Sequence, residues 1–418
     1  MIEIPGVVGD VVRSVGLATA MRAAGVVTGL LPIPQPMLLV GPGASARLGR
    51  AIADFGHRKV MIVTDRVVAG MGLHDTLVAA MAEGGTSAAV FDEITADAPI
   101  PQIEKGIAFY AKHRCDAIVA FGGGSPMDAA KTIALAVANG KHPRKLVGYF
   151  KGRRAPVPVY AVPTTAGTGS EVTVAAVISD PQSNRKLVIA DTRLVPAMAA
   201  LDPVLMTRLP PAVTAATGMD ALTHAVEAFV GQWASAHTDR LALAAVGIVY
   251  ERLRVAYRSP KDLVAREQMS IAATYAGLAF TRANVGYVHA IAHQLGGKYH
   301  TPHGLANAIM LPHVLRYSSP AITKRLALLA VRAGVGKAGE RPATLARKFV
   351  DSVLKLNRDL GIPAYVEALR EEDIPELAKA ACWEADTSYP VPRYMSPATC
   401  AKILGQVLPK PSARKRRR

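Results

Sequence analysis

The sequence predicts an α/β domain followed by an all-helical domain. Between about residues 37 and 205, short apolar runs such as KVMIVTD, TSAAVFD, CDAIVAFGGG and PVPVYAVPTT alternate with helical patterns such as LHDTLVAAMAEGG. This alternation is typical of strands joined by crossover helices, and hence of a largely parallel sheet covered on both faces. From MTRLPPAV onward the apolar spacing becomes helical. We expect the change near ALDPVLM, where Pro203 follows the last extended run.

These patterns divide the chain into four regions. Residues 1–35 form an extension that we predict to be helical, 36–205 the α/β domain, 206–408 the helical domain, and 409–418 a basic tail that we predict to be disordered. With 418 residues, of which 50% are hydrophobic, the chain can build a large core. An arginine and two glycines interrupt the apolar stretch of residues 15–34, so we predict no membrane span and no membrane partner.

Charge and cysteine content restrict the possible functions. The formal net charge is +17, and the tail PKPSARKRRR carries six of the positive charges. Basic surface is typical of phosphate binding, so a polyanion-binding protein is one alternative. No RNA-binding signature accompanies the tail, and we do not expect nucleic acid as a partner. The three cysteines form no CxxC pair, which argues against disulfides and thiolate zinc sites and fits a reducing, cytoplasmic compartment.

Two loops have the composition of phosphate-binding loops. In AIVAFGGGSPMDAAK, Gly123 and Gly124 follow an apolar strand, and Ser125 is expected to cap the next helix, with Asp128 in its first turn. Glycines let a phosphate approach the backbone, and the N–H groups of a helix start attract anions. The spacing is neither GxGxxG nor that of the lysine-containing phosphate loop, so a tight turn without a ligand is the alternative.

The second loop, VPTTAGTGSEVT, places hydroxyl groups beside glycines. Thr164, Thr165 and Thr168 suit phosphate or ribose contacts, although the same residue types occur in ordinary turns. Asp65 ends the run KVMIVTD, where a carboxylate can accept ribose hydroxyls and repel a 2′-phosphate. The adjacent Arg66 weakens that argument, and a solvated aspartate is the alternative.

Four of the 11 histidines fall within the stretch HAIAHQLGGKYHTPHG. His289 and His293 are four residues apart in a helical pattern, so their side chains share one face. We expect the Gly-Gly dipeptide to end this helix, and His303 to begin another helix that folds back toward the first two histidines. His300 has no feature that demands a ligand.

A second pair with the same spacing lies upstream. GMDALTHAVEAF places Asp220 and His224 four residues apart, again on one helical face. Two such pairs can converge on one cation. Imidazole and carboxylate together suit iron(II) or zinc, and we therefore predict a metal site. For any single histidine, a hydrogen-bonded structural role is the alternative.

In combination, these motifs resemble those of the iron-containing (group III) alcohol dehydrogenases. Over roughly residues 36–400, the motifs VTD, FDEI, GGGSPMDAAK, PTTAGTGSEVT, LDP, GMDALTHAVEAF and HAIAHQLGGKYHTPHGLANAIMLP occur in this order. The resemblance implies a Rossmann-like nucleotide domain followed by an all-helical domain, in a dehydroquinate synthase-like architecture. It also implies a metal in the cleft between the two domains.

Matching the motifs residue by residue gives the implied site. The implied metal ligands are Asp220, His224, His289 and His303. The implied cofactor contacts are Asp65, Gly123, Gly124, Ser125, Asp128, Thr164, Thr165, Thr168, Thr173 and Lys186. His293 takes the position of a histidine used in proton transfer. The family's Pro-Asn-Pro turn is replaced by Ala96-Asp97-Ala98, so no asparagine role is carried over.

The resemblance implies hydride transfer between a primary alcohol or diol, or the corresponding aldehyde, and a nicotinamide cofactor. Iron(II), with zinc as the alternative, would act as a Lewis acid on the alcohol oxygen, and His293 would relay the alcohol proton. Asp65 favours NAD over NADP, and the family usually forms homo-oligomers. Two other readings stay open: a zinc polyol dehydrogenase resembling glycerol dehydrogenase, and a polyanion-binding protein on a dehydrogenase fold without activity.

Overall fold

A computed structural model gives the structure of most of the chain. It describes residues 16–17, 19, 21, 23–26, 28–183 and 185–409. The described residues between 16 and 29 have helical backbone. The predicted disordered tail lies outside the described residues from 410 onward. No helix within the described part is long and apolar enough to cross a membrane.

Nine strands form two sheets in the described part of the chain. They are β1 (Met37–Val40), β2 (Lys59–Val63), β3 (Ser87–Phe91), β4 (Ala117–Gly122), β5 (Gly148–Tyr149), β6 (Val159–Pro163), β7 (Ala175–Asp180), β8 (Arg185–Ala190) and β9 (Met198–Leu201). Six strands pair in the order β1-β9-β6-β4-β2-β3, and every pair is parallel. This sheet confirms the predicted α/β class of the N-terminal part.

Thirteen α-helices lie between residues 44 and 405. Five of them accompany the sheet, namely α1 (Ala44–Asp54), α2 (Arg66–Gly70), α3 (Asp75–Glu83), α4 (Ile100–His113) and α5 (Gly124–Asn139). The others form the helical part, namely α6 (Pro211–Val230), α7 (Ala236–Arg258), α8 (Leu263–Ala283), α9 (Tyr287–Tyr299), α10 (His303–Arg332), α11 (Pro342–Asp359), α12 (Ile374–Ser388) and α13 (Pro397–Gly405). No strand interrupts these eight helices, as predicted.

Helices cover both faces of the parallel sheet, which explains its continuous apolar strands. Along β4, Ile118 and Ala120 pack with residues of α4 and α5, whereas Val119 and Phe121 pack with α1 and α3. Successive residues of a strand face opposite sides, so each must be apolar when both sides are covered. All six residues of β4 are buried accordingly.

A second sheet of three strands was not indicated by the sequence pattern. Its order is β5-β8-β7, and β7 and β8 run antiparallel. The backbone N–H of Val177 in β7 donates to the Asp128 carboxylate at 3.0 Å, which joins this sheet to the first turns of α5. The prediction of a parallel sheet therefore holds for the main sheet alone.

The carboxyl ends of the central strands point toward the helical part. The predicted loops start at these ends, because Asp65 follows β2, Gly123 follows β4 and Thr164 follows β6. In parallel α/β sheets, ligands bind at this edge. Gly169 lies in the second predicted loop, VPTTAGTGSEVT. A Cβ added to it would lie 2.7 Å from the Ala273 carbonyl oxygen of α8, so the loop packs tightly against the helical part. The predicted domain limits stay a prediction.

Candidate metal and cofactor site

Three helices bring the four predicted metal ligands together. Asp220 and His224 lie on α6, His289 lies on α9 and His303 is the first residue of α10. One carboxylate oxygen or ring nitrogen from each residue lies within 4.8 Å of the corresponding atoms of the others. The Nε2 atoms of His289 and His303 are 3.9 and 3.7 Å from Oδ1 of Asp220. Apart from half-buried His303, these residues are buried.

The helix that carries His289 is longer than expected. It continues through Gly296 and Gly297 to Tyr299, so the predicted break at the two glycines is wrong. Glycine costs a helix interior only about 1 kcal/mol, which packing can offset. The chain turns instead at His300, whose φ of 54° ends α9 in the left-handed conformation. Helix α10 begins at His303 as predicted.

The chemistry of this cluster fits a divalent metal. Nδ1 of His224 is buried, has no hydrogen-bond partner among the described residues, and lies 3.9 Å from Oδ2 of Asp220. Burial lowers the pKa of His224 to about 4 and that of His289 to about 3. Both rings are therefore neutral near pH 7 and keep a nitrogen lone pair for a metal. A bound cation would also supply the partner that the buried nitrogen lacks.

Glu227 orients one of these rings and was missed by the sequence analysis. Its Oε2 lies 2.6 Å from Nδ1 of His289, and its carboxylate also accepts hydrogen bonds from the backbone N–H groups of Gly286 and Val288. Burial raises the pKa of Glu227 to about 7. Carboxylates in this position fix the orientation of metal-binding histidines. The sequence could have indicated Glu227, because it follows His224 by three residues in the same helical pattern.

Asn307 is a second residue that the sequence analysis missed. Its Nδ2 donates to Oδ1 of Asp220 at 2.7 Å and lies 3.2 Å from Nε2 of both His289 and His303. Asn307 is fully buried and follows His303 by four residues on α10. Its amide therefore sits against three of the four candidate ligands.

His293 lies beside the cluster and is not one of its four members. Its ring stacks on that of His303 with centroids 5.4 Å apart, and its centroid is 6.1 Å from that of His289. Nδ1 of His293 lies 2.6 Å from Oε1 of Glu384, a partner that the sequence did not indicate. His293 is therefore next to the four clustered residues without being one of them, and its role in proton transfer stays a prediction.

The two predicted phosphate loops lie against each other. A Cβ added to Gly124 would lie 2.9 Å from Cγ2 of Thr168, and one added to Gly123 would lie 3.4 Å from Oγ1 of Thr165. The backbone N–H of Thr164 donates to the Gly122 carbonyl at 3.0 Å, because β4 and β6 are neighbours. Glycine backbone and threonine hydroxyls therefore form one surface at the start of α5.

Two other predicted cofactor residues make local contacts. Asp65 caps α2, since its Oδ1 accepts hydrogen bonds from the backbone N–H groups of Val67 and Val68 at 2.9 Å. Ser125 does not cap α5, because the helix already begins at Gly124. Its hydroxyl oxygen instead accepts a hydrogen bond from the backbone N–H of Asp97 at 3.0 Å. The predicted cap at Ser125 is wrong, and the hydroxyl joins the glycine turn to a neighbouring loop.

The remaining predicted cofactor residues fall into two groups. Half-buried Asp128 and buried Thr173 belong to one polar cluster, in which Asp128 accepts a hydrogen bond from Ser170 at 3.0 Å. Lys186 lies closer to the metal ligands, because its Nζ is 2.9 Å from Oδ1 of Asp97 and 3.4 Å from a Cβ added to Gly296 of α9. Lys186 of β8 therefore lies beside both α9 and Asp97, whereas Thr173 is buried and Asp128 is half-buried.

Comparison with known families identifies the family of the chain. The model described as "Iron-containing alcohol dehydrogenase" matches residues 35–203, and that of the "Fe-containing alcohol dehydrogenase family, C-terminal" matches residues 214–408. The chain belongs to the iron-containing alcohol dehydrogenase family. The two matches together span both the sheet and the helical part. They confirm the resemblance drawn from the motifs, and with it an oxidoreductase of the metal-dependent alcohol dehydrogenase type.

Members of the iron-containing alcohol dehydrogenase family align with nearly the whole chain. The NAD-dependent methanol dehydrogenase of Bacillus methanolicus is 37% identical over 89% of this chain and 98% of that protein. The 1,3-propanediol dehydrogenase of Klebsiella pneumoniae is 39% identical over 82% and 89%, and the lactaldehyde reductase of Escherichia coli (strain K12) is 37% identical over 82% and 90%.

A solved structure of the same family confirms the fold. The crystal structure of a 1,3-propanediol oxidoreductase matches with a TM-score of 0.88 and 36% identity, covering 91% of this chain and all of that one. The predicted fold class, an α/β part followed by a helical part, is therefore correct.

Proposed function

We propose that the protein is an NAD-dependent dehydrogenase of short primary alcohols or diols, which also reduces the corresponding aldehydes. The observation that supports this proposal most directly is the cluster of Asp220, His224, His289 and His303 near the two predicted phosphate loops at the start of α5. Relatives named for methanol, 1,3-propanediol and lactaldehyde support a small alcohol or aldehyde as substrate.

The four clustered side chains would hold the metal, and iron(II) is the ion that we propose. A divalent cation there supplies Lewis acidity, which lowers the pKa of an alcohol. Three neutral imidazoles and one carboxylate also suit zinc, which such ligands bind more tightly than iron(II). Glu227 and Asn307 keep His289 and Asp220 in place.

The nucleotide would lie along the carboxyl edge of the sheet. Backbone N–H groups of Gly123 and Gly124 and the hydroxyls of Thr165 and Thr168 bind the pyrophosphate at the start of α5. Asp65, at the end of β2, accepts the adenosine ribose hydroxyls and repels a 2′-phosphate, which favours NAD. Lys186 approaches the cofactor from β8.

His293 would serve as the proton relay. Its ring stacks on that of His303, so a substrate bound at the cluster lies within its reach. The His293 ring would take the proton from the alcohol oxygen and pass it to water, and a bound nicotinamide would supply the hydride acceptor. The side chains would thus hold the metal, orient the substrate and cofactor, and transfer the substrate proton to water.

Two further expectations stay part of this proposal. A reducing, cytoplasmic location fits the three free cysteines, Cys115, Cys382 and Cys400, all of which are buried. Homo-oligomers are usual in the family, and we extend that expectation to this chain. Nucleic acid is not expected as a partner.

The proposal is tested by NADH formation in protein loaded anaerobically with iron(II) or zinc. The panel contains methanol, ethanol, 1,2-propanediol, 1,3-propanediol and glycerol, each with NAD and with NADP. We expect oxidation of short alcohols or diols with NAD, loss of activity in His289→Ala, and retention in His237→Ala, which changes an exposed histidine. Stoichiometric metal without NAD reduction would contradict the proposal, and activity confined to glycerol with zinc would favour a polyol dehydrogenase.

A further inference from the structure

A carboxylate from a distant helix holds the ring of His293. Glu384 lies on α12, and its Oε1 is 2.6 Å from Nδ1 of His293. The hydroxyl of Tyr389 donates to the same oxygen at 2.6 Å, and Nε2 of Gln294 donates to Oε2 at 2.7 Å. These contacts fix both oxygens of a side chain that is only 21% exposed.

We propose that Glu384 is a positioning residue that sets the tautomer and orientation of His293. The inference rests on the proposed function, in which His293 relays the substrate proton. A neutral imidazole has one N–H donor and one lone-pair acceptor. A carboxylate at Nδ1 can only accept, so it holds the ring proton on Nδ1 and leaves the lone pair on Nε2. Nε2 is then the atom that can receive a proton from a substrate at the cluster.

The contacts around Glu384 keep it in the accepting form. Tyr389 and Gln294 donate to the two oxygens of Glu384, and the ionised carboxylate accepts a hydrogen bond from Nδ1 of His293 as well. Gln294 of α9 donates to Oε2 of Glu384 and so joins α9 to α12, whereas His293 contacts Oε1.

The test is a double-mutant cycle on Glu384 and His293. In Glu384→Gln, the new amide can donate to Nδ1 and so stabilise the opposite tautomer, with the proton on Nε2. We expect kcat to fall roughly 10- to 100-fold with little change in KM or metal content, as for other residues that orient a catalytic or metal-binding histidine. In the His293→Ala background, the same change should lower kcat less than about threefold.

A matched variant tests whether the effect is specific to Glu384. Glu376→Gln changes an exposed glutamate on the same helix, and it should keep full activity. Equal losses from Glu384→Gln with and without His293, or no loss at all, would overturn the proposal.

Nitrogen NMR of zinc-loaded protein with labelled histidine tests the tautomer without an activity measurement. We expect the His293 proton on Nδ1 in wild type and on Nε2 in Glu384→Gln. A wild-type ring protonated on Nε2 would overturn the inference. If wild type forms no NADH from any alcohol, the proposed function fails, while the nitrogen shifts still decide whether Glu384 sets the tautomer.

Discussion

Oε2 of Glu227 lies 2.6 Å from Nδ1 of His289, and both residues are buried. The same carboxylate accepts the backbone N–H groups of Gly286 and Val288, at the start of the helix that carries His289. Helix α6 therefore carries two of the proposed ligands, Asp220 and His224, and through Glu227 it also contacts a third, His289, on another helix. This relationship makes the metal cluster depend on a residue outside it.

Replacement of Glu227 by glutamine should weaken metal binding. The amide keeps an oxygen acceptor but loses the negative charge that orients and polarises the His289 ring, so we expect metal affinity to fall roughly 10- to 100-fold. Competition with a chelator at about pH 8.5, above the pKa of Glu227 of about 7, measures this change, and thermal unfolding of the metal-free protein checks that the fold is retained. Glu251→Gln, on the exposed surface of α7, is the control. Unchanged affinity in Glu227→Gln would show that His289 needs no such partner.

Asp97 stands where the family's turn has asparagine, and it pairs with Lys186. Nζ of Lys186 lies 2.9 Å from Oδ1 of Asp97, and the pair is partly exposed. Asp97→Asn should free Lys186 for the nucleotide phosphates and remove a repulsive charge, so we expect the Kd for NADH to fall about three- to tenfold, as for pairs worth roughly 1 kcal/mol. Fluorescence titration measures the Kd. A higher Kd would show instead that Asp97 itself binds the cofactor.

Lys131 is buried, and no carboxylate among the described residues forms a hydrogen bond with its ammonium group. Its Nζ donates to Oγ of Ser170, to Oγ1 and the carbonyl of Thr173, and to the carbonyl of Ala175, at 2.9 to 3.1 Å. Burial lowers the pKa of Lys131 to about 8, although the charges of Asp128 and Glu171 raise it. The pKa in the unfolded chain is near the ordinary 10.5.

The stability of wild type relative to Lys131→Met should therefore increase with pH. Between about pH 8 and pH 10.5 the unfolded chain binds this proton and the folded protein does not, so the free energy of unfolding rises with pH. The gain over the whole window is about 3 kcal/mol at about 1.4 kcal/mol per pKa unit. Urea unfolding of both proteins across this range measures the difference, and other titrations cancel in the comparison. A pH-independent difference would show that the ammonium keeps an ordinary pKa.

Much of the site could be predicted because its signals are local. Asp220 and His224, like His289 and His293, are four residues apart, and helical geometry puts such pairs on one face whatever the rest of the fold does. The parallel sheet was predictable for a similar reason, since strands covered on both faces are continuously apolar. Glu227 follows His224 by three residues, which also places it on the same helical face, so it could have been found.

The other parts of the site depend on contacts that local spacing does not encode. Glu384 reaches His293 across 91 residues of sequence, and nothing around it in the chain indicates that partner. Ser125 was predicted as a cap, but the cap is Gly123, two residues earlier, and the Ser125 hydroxyl accepts a hydrogen bond from the backbone N–H of Asp97 in another loop. The prediction that the helix ends at Gly296 is wrong, because packing outweighs the low helix propensity of glycine.

Metal occupancy and activity, measured on the same anaerobic samples, test the central claim most directly. Wild type and Asp220→Ala are stripped with a chelator, titrated with iron(II), and assayed for metal per chain and for NADH formation with the best alcohol of the panel. The account predicts one tightly bound metal per wild-type chain, activity in proportion to occupancy, and neither metal nor activity in Asp220→Ala. Full metal content in Asp220→Ala, or undiminished NADH formation by the stripped wild type, would contradict it.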